Sequence, residues 1–249
     1  ALNAIYAETY YRDRGMVCDT PEHEKGSRLE RLEWLPRKPG RVLDVGCGIG
    51  SFLADAREAG WEVEGLELSD WSIGTGREHF GVEIVKGSVE GAAWPPASFD
   101  AVTCWHNIEH QCDPKRAIQA MRDLLKPGGW LVLRTPNAAS FDQWWYGEKW
   151  VGWNDPGHFY FFGLGQLTAY CRALDFKVLE VDRGTTRALE GAKAAWRRLK
   201  GRPLQPTGAT SAPQPSGPAG KPGLKRSLLR LAGYVASGRD MTLLAEKPR

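Results

Sequence analysis

The stretch RVLDVGCGIG, residues 41–50, decides the fold. It opens on a short apolar run, the pattern of a strand buried on both faces, and closes on Gly46, Gly48 and Gly50. Glycines so closely spaced let the backbone turn sharply and let a ligand touch the main chain. Residues 51–60 then read as a helix stopped by Gly60. The loop therefore feeds a helix start, whose unpaired N–H groups suit the anionic end of a ligand.

The same rhythm continues outward from this stretch. Strands are expected over 62–68, 83–87, 99–104 and 130–135, and helices over 70–80 and 114–125. Pro114 suits the first position of its helix, and Lys-Pro-Gly-Gly over 126–129 ends that helix and starts the next strand. A helix over 165–174 and strands over 177–182 and 241–246 complete the series. The pattern predicts an α/β fold: a Rossmann-like seven-stranded mixed sheet with helices on both faces and the last strand antiparallel.

Composition agrees with such a body. The chain has 249 residues, 42% hydrophobic and 25% charged, enough for a sizeable core. Five cysteines without a CxxC pair argue against a disulfide framework or a zinc site, so a reducing cytoplasm is expected. No apolar run approaches the roughly 18 residues of a membrane span. Residues 1–15 lack the apolar core of a secretory signal.

Charge and complexity divide the chain. Residues 1–182 carry 19 Lys+Arg against 27 Asp+Glu, whereas 183–249 carry 14 against 3. The expected organisation is an N-terminal helical cap (1–40), a core (41–183) with an aromatic lid (141–162), a basic helical insertion (184–238) and a final core strand (239–249). Within the insertion, 201–222 is Pro/Gly/Ser/Ala-rich and reads as a disordered linker between helices over 186–200 and 224–235. Basic amphipathic helices suit an anionic membrane surface or a phosphorylated or lipid-linked substrate, although two docked helices with solvated basic faces are the favoured reading. A cytoplasmic location, with the inner membrane face as a peripheral station, goes with this. Nucleic acid is disfavoured, because the insertion lacks interleaved aromatics. Oligomeric state is not legible.

The glycine loop also speaks to the ligand. A dinucleotide site carries GxGxxG; here the spacing is GxGxG, with Asp44 two residues before the first glycine. An acid there suits a cationic ligand better than a pyrophosphate. Glu67, at the end of the second strand, stands where a carboxylate takes both hydroxyls of a ribose. The spacing thus favours S-adenosylmethionine over NAD.

These segments together resemble the class I S-adenosylmethionine-dependent methyltransferases. VLDVGCGIG is similar to the family's first motif, FDAVTCWHNIEH to its FDxVxxxxxLEH segment, and LLKPGGWLVLRTPN to its LLKPGGxLxxxTPN turn and strand. Pro156-Gly157-His158-Phe159-Tyr160-Phe161-Phe162 resembles a motif of the branch of small-molecule O-methyltransferases that includes ubiquinone-pathway and sugar-modifying enzymes. The resemblance implies that Asp44, Gly46, Gly48 and Gly50 line the methionine half of the cofactor. It implies that Glu67 holds the ribose and Leu68 packs on the adenine. Ser88 stands where the family carries an Asp against the adenine amino group, and Trp105 and His106 stand where cofactor and acceptor meet.

The expected reaction is in-line displacement of a methyl group from a sulfonium onto an oxygen of a small-molecule acceptor: a sugar, a phenol or quinone precursor, or a lipid-linked compound. A hydroxyl acceptor gains from a base, and histidine is the usual one near neutrality. Of five histidines, His158 and then His106 are the candidates; His110 reads as a helix-entry residue. No metal is expected, because His106, His110, Asp113 and His158 match no recognised ligand spacing. The segment after the fourth strand lacks the Asn/Asp-Pro-Pro-aromatic motif of nucleobase amino methylation. Two alternatives stand beside this reading: a cofactor-binding module without turnover, and an NAD-linked oxidoreductase, which the glycine spacing disfavours.

Overall fold

A computed structural model describes residues 30–155, 157–182 and 240–249. The strands are β1 (Arg41–Val45), β2 (Glu62–Glu67), β3 (Ile84–Lys86), β4 (Phe99–Trp105), β5 (Leu125–Pro136), β6 (Lys177–Asp182) and β7 (Asp240–Glu246). The helices are α1 (Ser51–Glu58), α2 (Asp70–Phe80), α3 (Pro114–Leu124), α4 (Phe141–Tyr146) and α5 (Leu164–Ala173). The strands form one sheet in the order β3-β2-β1-β4-β5-β7-β6. The first five run parallel to one another, and β7 runs antiparallel to both β5 and β6. The expected seven-stranded mixed sheet is therefore present.

Alternation along the central strands sorts side chains onto two faces. Leu43, Val102, Leu131, Leu133 and Leu243 pack on one face with Ile118 and Met121 of α3 and Leu167 and Cys171 of α5. Val42, Ala101, Val132 and Leu244 pack on the other with Phe52, Leu53 and Ala56 of α1. With both faces covered, the central strands need no polar side, which is why they read as nearly unbroken apolar runs.

Caps follow from the sequence. The Ser69 hydroxyl accepts from Ser72 N at the start of α2, and Gly81 ends that helix with φ 58°. Asp113 accepts from Arg116 N ahead of Pro114, the first residue of α3. One boundary differs from expectation. Extended backbone begins at Leu125, which pairs with Phe99, while Trp130 already pairs with Ala101. The Lys-Pro-Gly-Gly stretch is thus an outward fold within β5, with Gly128 at φ 78°.

Sheet order reverses between β1 and β4: the chain proceeds outward through β2 and β3 and then returns to the other side. The carboxyl ends of β1 and β4 flank a crevice at that switch point, the usual ligand position in open α/β sheets. The expected linker 201–222 and helices over 186–200 and 224–235 lie outside the described residues, as does most of the 1–40 cap. Of that cap, Leu35 is buried in the core on the α1 face. Among the described residues no helix is long and apolar enough to cross a membrane.

Candidate active site

The crevice is a cavity of about 260 Å³, walled by the glycine loop, the ends of β2 and β3, and the segment after β4. Gly46, Gly48 and Gly50 all have positive φ, at 70°, 56° and 75°. Gly46 is also hemmed in: a Cβ there would stand 2.2 Å from the Asn107 side chain, whereas one at Gly48 would meet nothing within 4 Å. Gly46 therefore serves close packing of the loop on the β4 turn, and Gly48 serves the bend alone. Gly50 is the N-cap of α1 and offers no side-chain cap, so the helix start is left to backbone groups.

Asp44 is buried, and its β4 neighbour Thr103, directly opposite in register, donates a hydrogen bond to it at 2.7 Å. Burial pushes the Asp44 carboxyl up to about 7; the Thr103 hydrogen bond and Arg31 pull it down, and Glu67 adds to the rise. A desolvated carboxylate in a cavity wall is stabilised by a cationic ligand. Glu67 already works within the protein. Its Oε2 accepts from Gly48 N at 3.0 Å, and its Oε1 accepts from Leu68 N at 2.7 Å and Ser69 N at 3.0 Å. The carboxylate thus ties the glycine loop to the end of β2 and retains acceptor capacity for hydroxyls. Leu68, Ser88 and Trp105 also line the cavity. Ser88 precedes the turn Val89–Gly91 without its side chain capping it. Trp105 packs edge-on against Phe52 and keeps a buried ring N–H without a hydrogen-bond partner.

The pocket thus brings together all eight of the residues expected at the cofactor except Gly50, which stands just behind the loop against Val82 and Ile84. Sequence reasoning missed several others. Arg31 lies in the wall with its guanidinium 5.9 Å from the Trp105 ring centre, and Asn107, His110 and Gln111 line the same cavity. Arg31 carried no signal, being one of many charged residues around it. Thr103 was legible only as a strand residue until the β1–β4 register was known.

Three histidines gather beside the cavity at the end of β4. His106 lines the cavity, its side chain 38% exposed, and adopts φ 51°, a strained backbone for a non-glycine residue. His158, 11% exposed, does not line the cavity; it stands behind His110, ring centres 4.8 Å apart. His110 Nδ1 pairs with Gly157 O at 2.8 Å and His158 Nδ1 with Gly152 O at 3.0 Å. Between them lies Glu109, buried, with Oε1 3.7 Å from His106 Nδ1 and 3.9 Å from His158 Nε2. Glu109, His110 and His158 each offer one atom, all within 4.8 Å of one another, a grouping that metal-ligand spacing along the chain did not reveal.

The aromatic segment is part wall and part core. Trp150 and Phe162 are buried, while Trp144, Tyr146, Trp153, Phe159 and Phe161 are exposed. Trp153 stands 4.4 Å from Phe161, whose ring lies 6.2 Å from His158. The cysteines among the described residues are free thiols, and burial raises those of Cys47, Cys104 and Cys171.

Known proteins are similar to this chain in sequence or in fold. The family described as "Methyltransferase domain" matches residues 20–181. The ubiquinone biosynthesis O-methyltransferase of Paraburkholderia phymatum is 36% identical over 117 residues, 43% of this chain and 50% of that protein. The same enzyme of Paracidovorax citrulli is 41% identical over 119 residues, with the same coverage. The chain spans about half the length of these relatives. A methyltransferase from Archaeoglobus fulgidus superposes with a TM-score of 0.67 at 18% identity, covering 96% of this chain and all of that one. The [4+2]-cyclase SpnF superposes with a TM-score of 0.58 at 21% identity, covering 90% of this chain and 80% of that one. These structures establish the fold alone, and the cyclase illustrates that fold does not dictate chemistry. The glycine loop, its buried acid, the Glu67 carboxylate at the cavity wall and the family match agree on one cofactor, and the chain belongs to the class I S-adenosylmethionine-dependent methyltransferases.

Proposed function

We propose that the protein methylates an oxygen of a small-molecule acceptor, with His106 as the base. The observation that carries this reading is the position of His106: it lines the cofactor cavity at the carboxyl end of β4 and is exposed enough to meet an acceptor. The O-methyltransferase names of the relatives support an oxygen acceptor. His158 is the second candidate; its place behind His110 favours a supporting role.

The bound cofactor supplies an electrophilic methyl group on a sulfonium. Asp44 holds positive charge near it, Glu67 and the glycine loop fix its sugar, and Trp105 closes the wall. Alignment of this kind contributes roughly 7–11 kcal/mol to the rate. His106 accepts the hydroxyl proton through a ring nitrogen as the acceptor oxygen gains the methyl group. The exposed rings of Trp153 and Phe161 offer a water-excluding wall for an apolar or ring-shaped acceptor.

The acceptor in this reading carries an anionic group. Residues 183–239 hold twelve Lys+Arg and one acid, Glu190. That segment leaves the sheet at Asp182 and returns at Asp240, both at the edge where β4 and β5 end, and Asp240 pairs with Pro136. Transfer of a labelled methyl group to hydroxylated acceptors tests the proposal, with phosphorylated and unphosphorylated members and amine analogues in parallel. Turnover on hydroxyls, strongest for anionic ones, supports it. Turnover on amines alone, or cofactor binding with no turnover on any acceptor, overturns it.

A further inference from the structure

We propose that Glu109 is a positioning residue: its carboxylate accepts a hydrogen bond from Nδ1–H of His106, which leaves the Nε2 lone pair for the acceptor hydroxyl. The inference rests on the reading of His106 as base.

Glu109 sits in the turn Ile108–His110 directly after β4, and its side chain is 1% exposed. Oε2 accepts from the Thr135 hydroxyl at 2.9 Å, which fixes the carboxylate against β5. Oε1 is buried and has no hydrogen-bond partner among the described residues. Such an orphan costs free energy in a folded protein and asks for a donor. Burial pushes the Glu109 carboxyl up, but His106 and then His110 draw it below the ordinary range, so it is ionised at neutral pH.

Two ring nitrogens lie near Oε1: His106 Nδ1 at 3.7 Å and His158 Nε2 at 3.9 Å. His158 is the weaker claimant. A carbonyl only accepts, so its contact with Gly152 O places the His158 proton on Nδ1, and in the neutral ring Nε2 then has none to give. His106 has no such engagement on Nδ1. Its backbone N donates to Arg134 O at 2.8 Å, and its left-handed backbone turns the ring into the space between Glu109 and Asp240. Asp240 Oδ2 stands 3.8 Å from Nε2 and 3.7 Å from Arg134 Nη2, so it has a cation of its own. Glu109 has none. The buried carboxylate therefore claims Nδ1–H, and a small rotation brings 3.7 Å into hydrogen-bond range, as happens when loose sites tighten on an acceptor.

The balance is simple. The acceptor O–H bond breaks, its proton goes to His106 Nε2, and the O–C bond forms as the S–C bond breaks. The positive charge on the ring is matched by Glu109 until the proton leaves to water. The same residue also organises its neighbours: Glu109 O accepts from Phe159 N at 2.9 Å and Tyr160 N at 3.2 Å, pinning the segment that carries His158.

Nitrogen-15 NMR of histidine in the full chain at pH 8 tests this without any acceptor. The missing resonances of His106→Gln assign His106. The expected result is an Nδ1–H tautomer at His106 in the wild type and the Nε2–H tautomer, the solution preference of imidazole, in Glu109→Leu. Glu109→Gln, which keeps an acceptor oxygen, serves as the milder variant should Glu109→Leu not fold; it retains Nδ1–H with a weaker hydrogen bond and a shifted resonance. A wild-type Nε2–H tautomer, or His106 resonances unmoved in both variants, overturns the proposal. So does Mn²⁺ at micromolar concentration broadening His110 and His158 in the wild type but not in Glu109→Gln, because an ion would then own Oε1. The tautomer reports on Glu109 alone, so absence of methyl transfer with the Nδ1–H tautomer present would count against the function and not against this inference.

Discussion

The glycine-loop wall of the pocket and the histidine cluster beside it are built differently. The wall is made of backbone: positive-φ glycines, a helix start, and a glutamate whose oxygens bind three backbone N–H groups at 2.7–3.0 Å. The cluster, which reaches the cavity through His106, is made of side chains brought from four places: His106 and Glu109 after β4, Thr135 on β5, His158 in the aromatic segment and Asp240 opening β7. Its histidine–carboxylate spacings are 3.7–3.9 Å. A site built from backbone is rigid and uniform across a family. A site built from side chains on separate elements is open to change one residue at a time.

If that contrast is right, damage to one should spare the other. The largest effect is expected from His106→Gln: turnover falls by about 10²–10⁴. Calorimetric affinity for S-adenosylmethionine stays within about twofold, because only a transition-state contact is lost. A comparable loss of cofactor affinity would dissolve the distinction.

Next comes a pair of alanines in the glycine loop. Gly48→Ala pays only for a left-handed backbone, roughly 1–2 kcal/mol, or about tenfold in affinity. Gly46→Ala adds overlap with Asn107 and is expected to weaken cofactor binding by about 100-fold or more. Equal losses at the two positions would mean that the loop does not pack on the β4 turn as described.

Asp44 sharpens the electrostatic side. Its carboxyl sits at about 7, raised by burial, so its charged form costs stability that is recovered as pH falls below 7. Binding a cation needs that charged form, so cofactor affinity should fall about tenfold between pH 8 and pH 6, with proton release on binding. Thr103, Arg31 and Glu67 are the groups that face it. Asp44→Asn should bind more weakly and with a flat pH profile over that range. A wild-type profile that is already flat would remove Asp44 from this role. The smallest effect is expected at Ser88, exposed on the pocket rim: Ser88→Ala should change affinity by less than about threefold, since one solvent-exposed hydrogen bond contributes little.

Legibility in the sequence follows the same division. The strands were readable because a covered parallel sheet demands unbroken apolar runs, and Arg41–Val45 and Glu62–Glu67 meet their expected bounds to within a residue. The Lys-Pro-Gly-Gly fold within β5 was misplaced because its conformation depends on pairing with Phe99, a partner 26 residues away. The place of Gly46, Gly48 and Glu67 in the cavity wall was readable because loop, helix start and the acid ending β2 sit at fixed spacings on consecutive elements. Glu67's hold on the loop was not, since it requires the side-by-side register of β1 and β2.

What the sequence determined by itself was the sheet, the crevice and the cofactor, for each follows from periodicity or from spacing within one β–loop–α–β unit. The tertiary structure alone decided the histidine edge. It set Thr103 against Asp44, moved His106 ahead of His158 at the cavity, and drew Asp240 and a Glu109 held by Thr135 to one imidazole. His106 and Asp240 lie 134 positions apart, and no local pattern encodes a distance of that kind. Only sheet order and strand register bring them together, and both are fixed by burying apolar faces, not by the polar groups that the burial leaves at the edge.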